Sequence, residues 1–64
     1  MENIITNIRV GGTSGFDVAR ARADKHQAET GNVCIVRRIL DYTDIFNDAP
    51  RNHYSFDVVE ILKD

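Results

Sequence analysis

The fold is decided at Val10-Gly11-Gly12-Thr13-Ser14-Gly15, because the spacing of apolar residues changes there. Before this stretch, apolar and polar residues alternate over positions 4–10, which is typical of a half-buried strand. After it, the segment 16–30 is rich in alanine and contains neither proline nor glycine, as expected of a helix. Gly31 is then placed to end that helix in the left-handed conformation. The sequence therefore predicts a strand that leads into a helix through a glycine-rich turn.

Two further strands are predicted after the helix. The β-branched run over 33–36 opens a strand over 33–42, and its apolar residues on both faces predict a central place in the sheet. Another strand is predicted over 54–62. The segment 43–53 between them is expected to be a long connection, because it is too long for a tight hairpin and holds Pro50, the only proline.

These elements predict one α+β domain over residues 1–64, in the order strand, helix, strand, strand. Strands over 3–10, 33–42 and 54–62 form a three-stranded sheet, in which the second and third strands are an antiparallel hairpin. A helix over 15–30 packs on one face of that sheet. The expected core residues lie on the apolar side of their elements: Ile8, Ala19, Ala23, Ile35, Phe56 and Val58.

The small size of the chain limits its core. A chain of 64 residues buries only about 60% of its unfolded surface, so binding to a partner or homodimer formation would supplement its stability. Cys34 is the only cysteine, which excludes an intramolecular disulfide and a structural zinc site, and fits a reducing compartment. No apolar run approaches the roughly 18 residues of a membrane span, and the N-terminus lacks the basic region of a signal peptide. We therefore expect a cytoplasmic protein that does not contact membranes.

The charges are distributed unevenly. The net charge of −2 argues against a dedicated nucleic-acid-binding protein. Basic residues concentrate in the predicted helix and second strand: Arg20, Arg22, Lys25, Arg37 and Arg38. Acidic residues concentrate in the segment that follows: Asp41, Asp44 and Asp48. Such a surface suits a protein partner with mixed charges, and the alternative is that these residues only keep a small protein soluble.

Three features of the sequence suggest a chemical role, but none of them has the pattern or the environment that the role requires. The glycine-rich turn matches neither a P-loop nor G-x-G-x-x-G, so we interpret it as a turn followed by a helix cap at Ser14. The three aspartates do not follow a calcium-binding loop. Cys34 lies in an apolar strand and is expected to be buried and unreactive. We therefore expect no catalytic residue, no cofactor and no metal, and hence no enzyme.

Ile45 and Phe46 form an apolar pair among polar residues of the expected connection. Phe46 either covers the small core or is an exposed anchor for a partner, since interface hot spots favour an aromatic ring surrounded by polar residues. The predicted partner-binding residues combine this pair with its flanking carboxylates and the two adjacent arginines: Asp44, Ile45, Phe46, Asp48, Arg37 and Arg38.

A short chain without a catalytic pattern is most simply a binding protein. We predict a small non-enzymatic inhibitor or adaptor, of the kind encoded by phages and other mobile elements, that occludes a larger host protein complex. The alternative is a nucleic-acid-binding module or regulator that uses the arginine-rich surface of the helix and second strand. In that case Tyr42, Tyr54 and Phe56 would stack on bases.

Overall fold

A computed structural model describes residues 1–9, 12–46 and 48–63, and at positions 12 and 46 it describes the backbone alone. Four elements follow one another along the chain: β1 (Glu2–Ile8), α1 (Gly12–Thr30), β2 (Val33–Phe46) and β3 (Ala49–Ile61). The predicted α+β class and the order of strand, helix, strand, strand are therefore confirmed. Among the described residues, no helix combines the length and the apolar character that crossing a membrane requires.

Helix α1 forms where the alanine-rich segment predicts it. It begins at Gly12, so Ser14, the expected cap, lies inside the helix. At the other end Gly31 has a φ of 77°, and its N–H donates to a carbonyl one turn back at 2.8 Å. Glycine adopts this left-handed conformation without a steric penalty, so it ends the helix as predicted. Ala19 and Ala23 are buried, and their small side chains let α1 lie close to the sheet.

The sheet is antiparallel throughout, with strand order β1-β3-β2. The predicted antiparallel hairpin of the second and third strands is confirmed. The central strand is β3, however, so the prediction that β2 is central is wrong. In the apolar run of β2, the side chain of Cys34 faces the helix. The side chains of Val33 and Ile35 lie on the opposite side of the sheet and are partly exposed. Apolar residues on both faces of a strand therefore did not distinguish an edge strand from a central one.

The second and third strands are joined by a tight turn, and the prediction of a long connection over 43–53 is wrong. Strand β2 continues to Phe46, which pairs with Ala49 at the start of β3. Asp48 has a φ of 61°, a conformation that short hairpin turns use and that aspartate tolerates. Pro50 is accommodated because β1 pairs only with the second half of β3, which leaves the first half at a sheet edge.

Beyond the end of β1 the sheet continues as two strands, and we call residues 40–54 the hairpin arm. The register of β2 shifts between Leu40 and Tyr42, so the arm begins at a β-bulge that includes Asp41. With this arm the molecule measures 48 × 21 × 11 Å. The arm therefore extends a small domain into an elongated one.

The core lies between α1 and the sheet. Most of the predicted core residues are buried: Ile8, Ala19, Ala23, Phe56 and Val58. The prediction for Ile35 is wrong, because its side chain is 38% exposed on the face of the sheet opposite α1. Val59 lies on that same face but is fully buried, since it sits in the central strand between Ile4 and Ile35. We call this the open face.

Candidate functional site

The structure distributes the predicted partner-binding residues over different surfaces. Four of them lie in the hairpin arm: Asp44, Ile45, Phe46 and Asp48. The side chain of Phe46 lies outside the described residues, so both interpretations of it, core cover and exposed anchor, remain predictions. Arg37 pairs in register with Asp57 on the open face, whereas Arg38 pairs with Phe56 on the helix side. The two arginines therefore do not share one surface.

Side chains connect the two strands of the hairpin arm. The ring of Tyr42 stacks on that of His53, with centroids 4.4 Å apart and planes inclined by 11°. The hydroxyl of Thr43 donates to Oδ1 of Asn52 at 2.9 Å. Ile45, by contrast, is 73% exposed. The arm thus holds an uncovered apolar side chain close to its tip.

The hairpin arm is acidic. Its sequence contains three aspartates and one arginine. Asp44 Oδ2 lies 3.9 Å from Nε2 of His53, and Asp44 pairs in register with Arg51. At the bulge, Asp41 accepts a hydrogen bond from the hydroxyl of Ser55 at 2.9 Å. The surface of the arm therefore combines exposed apolar side chains with a net negative charge.

A groove of about 950 Å³ lies between the arm and the first turns of α1. Aromatic residues and a histidine from α1, β2 and β3 line it: Phe16, Tyr42, His53, Tyr54 and Phe56. Its charged residues are Arg9, Arg38 and Asp41. The rings of Phe16 and Phe56 meet edge to face at 5.9 Å, and the guanidinium of Arg38 lies 4.5 Å from the centre of the Tyr54 ring. A volume near the upper end of the roughly 300–1,000 Å³ of ligand clefts makes this groove a candidate binding site.

The sequence pattern did not predict this groove. A loop over 43–53 predicts no partner strand for Asn52 and His53, whereas in the structure His53 pairs with Tyr42 and Asn52 with Thr43. The signal that would have placed them is the dipeptide Asn47-Asp48, since asparagine and aspartate favour two-residue turns. The three aromatic residues suggested for base stacking do line the groove together: Tyr42, Tyr54 and Phe56.

The open face carries its own polar network around Arg37. One guanidinium nitrogen of Arg37 lies 3.0 Å from Oε2 of Glu2, and the other lies 3.8 Å from Oδ2 of Asp57. Asp57 in turn accepts a hydrogen bond from the side-chain amide of Asn7 at 2.6 Å. Carboxylates therefore compensate the charge of Arg37 within the domain.

The titratable groups beneath α1 form a polar cluster that holds the domain together. The buried carboxylate of Glu60 receives hydrogen bonds from Asn32 at 3.0 Å and Asn3 at 3.3 Å, and lies 2.8 Å from His26 Nε2. Hydrogen bonds from Asn32, His26 and Asn3, in that order, hold the pKa of Glu60 below its ordinary value. Cys34 pairs with Glu60 in register, and burial, then the nearby carboxylate, raise the pKa of its thiol. The prediction that strand packing buries Cys34 is confirmed, and a protonated thiol is a poor nucleophile.

A metal site and the glycine-rich turn are the other features that the sequence suggests. Within the described residues, no three His, Cys, Asp or Glu side chains are grouped as a metal site. Of the predicted glycine-rich turn, Val10 and Gly11 lie outside the described residues. No protein-family model, curated protein or solved structure matches this chain. The groove and the hairpin arm offer rings, guanidinium groups and exposed apolar side chains, which are the components of non-covalent recognition.

Proposed function

We propose that this chain is a small non-enzymatic protein-binding protein, an inhibitor or adaptor that acts by covering part of a larger partner. The observation that carries this proposal is the uncovered apolar surface of the hairpin arm. Three of its large side chains are each more than half exposed: Leu40, Tyr42 and Ile45. They stand among carboxylates, and apolar anchors surrounded by polar residues are typical of interface hot spots.

The shape of the arm supports action on a partner larger than the chain itself. Each strand of the arm has about seven residues, which at roughly 3.3 Å per residue span about 20–25 Å. A two-stranded projection of that length reaches into a cleft that a flat surface would not fill. The cross-strand contacts of Tyr42 with His53 and of Thr43 with Asn52 limit its flexibility before binding, which lowers the entropy cost of association.

The charges of the described surface favour a protein over a nucleic acid. A phosphate backbone that approached the groove would meet the carboxylates of the acidic arm, which repel it. Several of the cations that would contact phosphate already have carboxylate partners: Arg20 with Asp24, Lys25 with Glu29, and Arg37 with Glu2 and Asp57. Those ion pairs reduce the basic surface available to a nucleic acid.

Affinity capture from the cells that naturally carry the chain tests this proposal. The tagged wild type is compared with a double variant of the arm, Tyr42→Ser with Ile45→Ser. The matched control is Val33→Ser, which removes an exposed apolar side chain from the open face. Circular dichroism verifies that all three proteins are folded.

We expect one larger protein to co-purify near stoichiometry with the wild type and with the control. The arm variant should recover it about tenfold less or worse, as expected when hot-spot side chains are lost. Equal recovery by all three proteins would contradict a role of the arm. Recovery that disappears on nuclease treatment, or that falls steeply with salt, would assign the chain to nucleic-acid binding instead.

A further inference from the structure

Two adjacent arginines of β2 have opposite environments. Arg37 lies on the open face and is compensated by Glu2 and Asp57. Arg38 lines the groove and rests on the ring of Tyr54, and no carboxylate of the described residues comes within 4.0 Å of it. The domain itself therefore neutralises one of these charges and leaves the other facing the groove.

Arg9 also lines the groove. Its Nε donates to Oδ1 of Asn7 at 3.2 Å, and among residues 1–9, 12–46 and 48–63 no carboxylate forms an ion pair with it. The contact with Asn7 involves Nε, and the two outer nitrogens have no hydrogen-bond partner among the described residues, so they can bind a ligand carboxylate in the bidentate manner. Two guanidinium groups without carboxylate partners thus border one concave surface.

Exposed rings lie next to these guanidinium groups. Phe16 is 47% exposed although it packs on Phe56, and Tyr42 is exposed although it stacks on His53. Each ring therefore lines the groove, is held by one aromatic contact and keeps exposed apolar surface. An aromatic or large aliphatic side chain of a ligand would bury apolar surface against either ring.

We propose that the groove binds an extended peptide segment of the protein partner, in which an acidic side chain stands next to an aromatic or large aliphatic one. Carboxylates of the segment pair with Arg38 and Arg9, and its apolar side chains pack on the exposed parts of Phe16 and Tyr42. This inference rests on the proposed function and names the partner chemistry of one part of the same surface.

The carboxylate of Asp41 favours a peptide over a nucleic acid as the occupant of the groove. It lines the groove together with the two arginines, and Asp44 lies close by, beside His53. A continuous phosphate backbone would have to pass these carboxylates. A peptide needs only one or two carboxylates, placed at the arginines, and its own N–H groups and any basic side chain are compatible with Asp41.

Selection from a displayed library of random 12-residue peptides tests this inference without knowledge of the partner. The immobilised wild type should enrich peptides with Asp or Glu adjacent to Phe, Tyr, Trp or Leu. Fluorescence anisotropy then compares an enriched peptide with its Asp→Asn and Glu→Gln form on the wild type. A loss of about 10- to 100-fold in affinity is expected, the range for a hydrogen bond to a charged group.

Variants of the protein locate the contact. Arg38→Gln and Arg9→Gln should each weaken the enriched peptide, whereas Arg22→Gln should not. Arg22 is the matched control because it is exposed on α1 and its removal changes the net charge equally. The comparison of peptides on the wild type does not depend on the folding of any variant.

Several results would overturn the inference. These are a selection that enriches no acidic residue, a neutralised peptide that binds as well as the acidic one, or an equal effect of all three arginine variants. Tighter binding of a 12-nucleotide oligothymidine than of the best peptide would assign the groove to single-stranded nucleic acid. If the arm-dependent capture of a protein persists in each of these cases, the proposed function stands and only the peptide assignment fails.

Discussion

The part of the sheet beneath α1 and the hairpin arm are built from the same two strands but differ in burial. In β3 every residue of 55–60 is buried, since α1 covers one face of the strand and, from Phe56 onward, β1 and β2 flank it on both sides. In the hairpin arm, 40–54, none of the described side chains is buried. The strands have the same partner throughout, so what changes along them is the presence of β1 and α1.

We therefore expect the helix-covered half to supply the stability of the domain and the hairpin arm to supply the proposed binding surface. The stabilising apolar contacts lie in the helix-covered half, because that is where water is excluded. The hairpin arm carries the exposed apolar side chains and borders the groove, and an isolated two-stranded hairpin is only marginally stable in water. Substitutions should therefore affect stability most beneath the helix and least in the arm, which the following predictions test in that order.

The largest effect is expected for Val58→Ala. The side chain of Val58 is fully buried beneath α1, so its truncation removes two methyl groups and leaves a cavity. A loss of about 2–3 kcal/mol is expected, out of roughly 3–10 kcal/mol for a domain of this size. Thermal melting should show a midpoint lower by about 10–20 °C.

The same truncation at Val33 is the matched control, since Val33 is more than half exposed at the start of β2. Val33→Ala should change stability by less than about 1 kcal/mol. Equal melting temperatures for the two variants would show that the helix-covered half is not the source of stability.

A smaller effect that depends on pH is expected for Glu60→Gln. The pKa of Glu60 is held below its ordinary value of 4.5 by hydrogen bonds from Asn32, His26 and Asn3. A carboxylate with a lowered pKa stabilises the folded state above its unfolded pKa, and that contribution is lost as the pH falls towards the folded pKa. The variant should therefore melt below the wild type at pH 7, and the difference should shrink below about pH 4.5.

Urea denaturation at pH 7 and at pH 3 measures this difference. Glu29→Gln is the control, since Glu29 is exposed on α1 and makes only a 4.0 Å ion pair with Lys25. It should show little difference from the wild type at either pH. A gap for Glu60→Gln that grows as the pH falls would refute the role assigned to the ionised carboxylate.

Gly31→Ala should cost about 1 kcal/mol. The φ of 77° at Gly31 places it in the left-handed region, which a residue with a Cβ adopts at a cost of about 1–2 kcal/mol. The space around the added Cβ is open, so the cost comes from the backbone and not from a clash. Chemical denaturation of Gly31→Ala and Gly31→Asn separates these causes, because asparagine tolerates the left-handed region better than alanine. Equal losses in both variants would contradict this explanation.

The helix and the hairpin pairing could be predicted because local signals determine them. The loss of alternation after position 10 and the glycine at position 31 bound the helix, whatever it packs against. The alternating pattern that contains Phe56 and Val58 likewise marks β3 and its buried face. These features depend on the spacing of residues within a few turns or one strand.

The strand order and the site could not be predicted in the same way, because they depend on contacts between distant residues. The apolar run at 33–36 is compatible with an edge or a central strand, and only the pairing of β1 with β3 decides between them. The tight turn that contains Asp48 fits the register in which Tyr42 pairs with His53. A long loop over 43–53 is incompatible with the hairpin arm, and without the arm there is no groove.

The smallest effect on stability is expected for Ile45→Ser, because Ile45 lies near the exposed tip of the hairpin arm. Its side chain is largely exposed and lies outside the helix-covered half, so the substitution should change the free energy of unfolding by about 0.5 kcal/mol or less. Amide hydrogen exchange should show why: the amides of the hairpin arm should exchange faster than those of 55–60, whose opening requires global unfolding. A melting temperature lowered as much as by Val58→Ala would instead show that Ile45 covers the core, and that the arm is part of the folding unit. If the variant melts like the wild type but no longer captures the partner, the arm serves recognition and the helix-covered half serves stability.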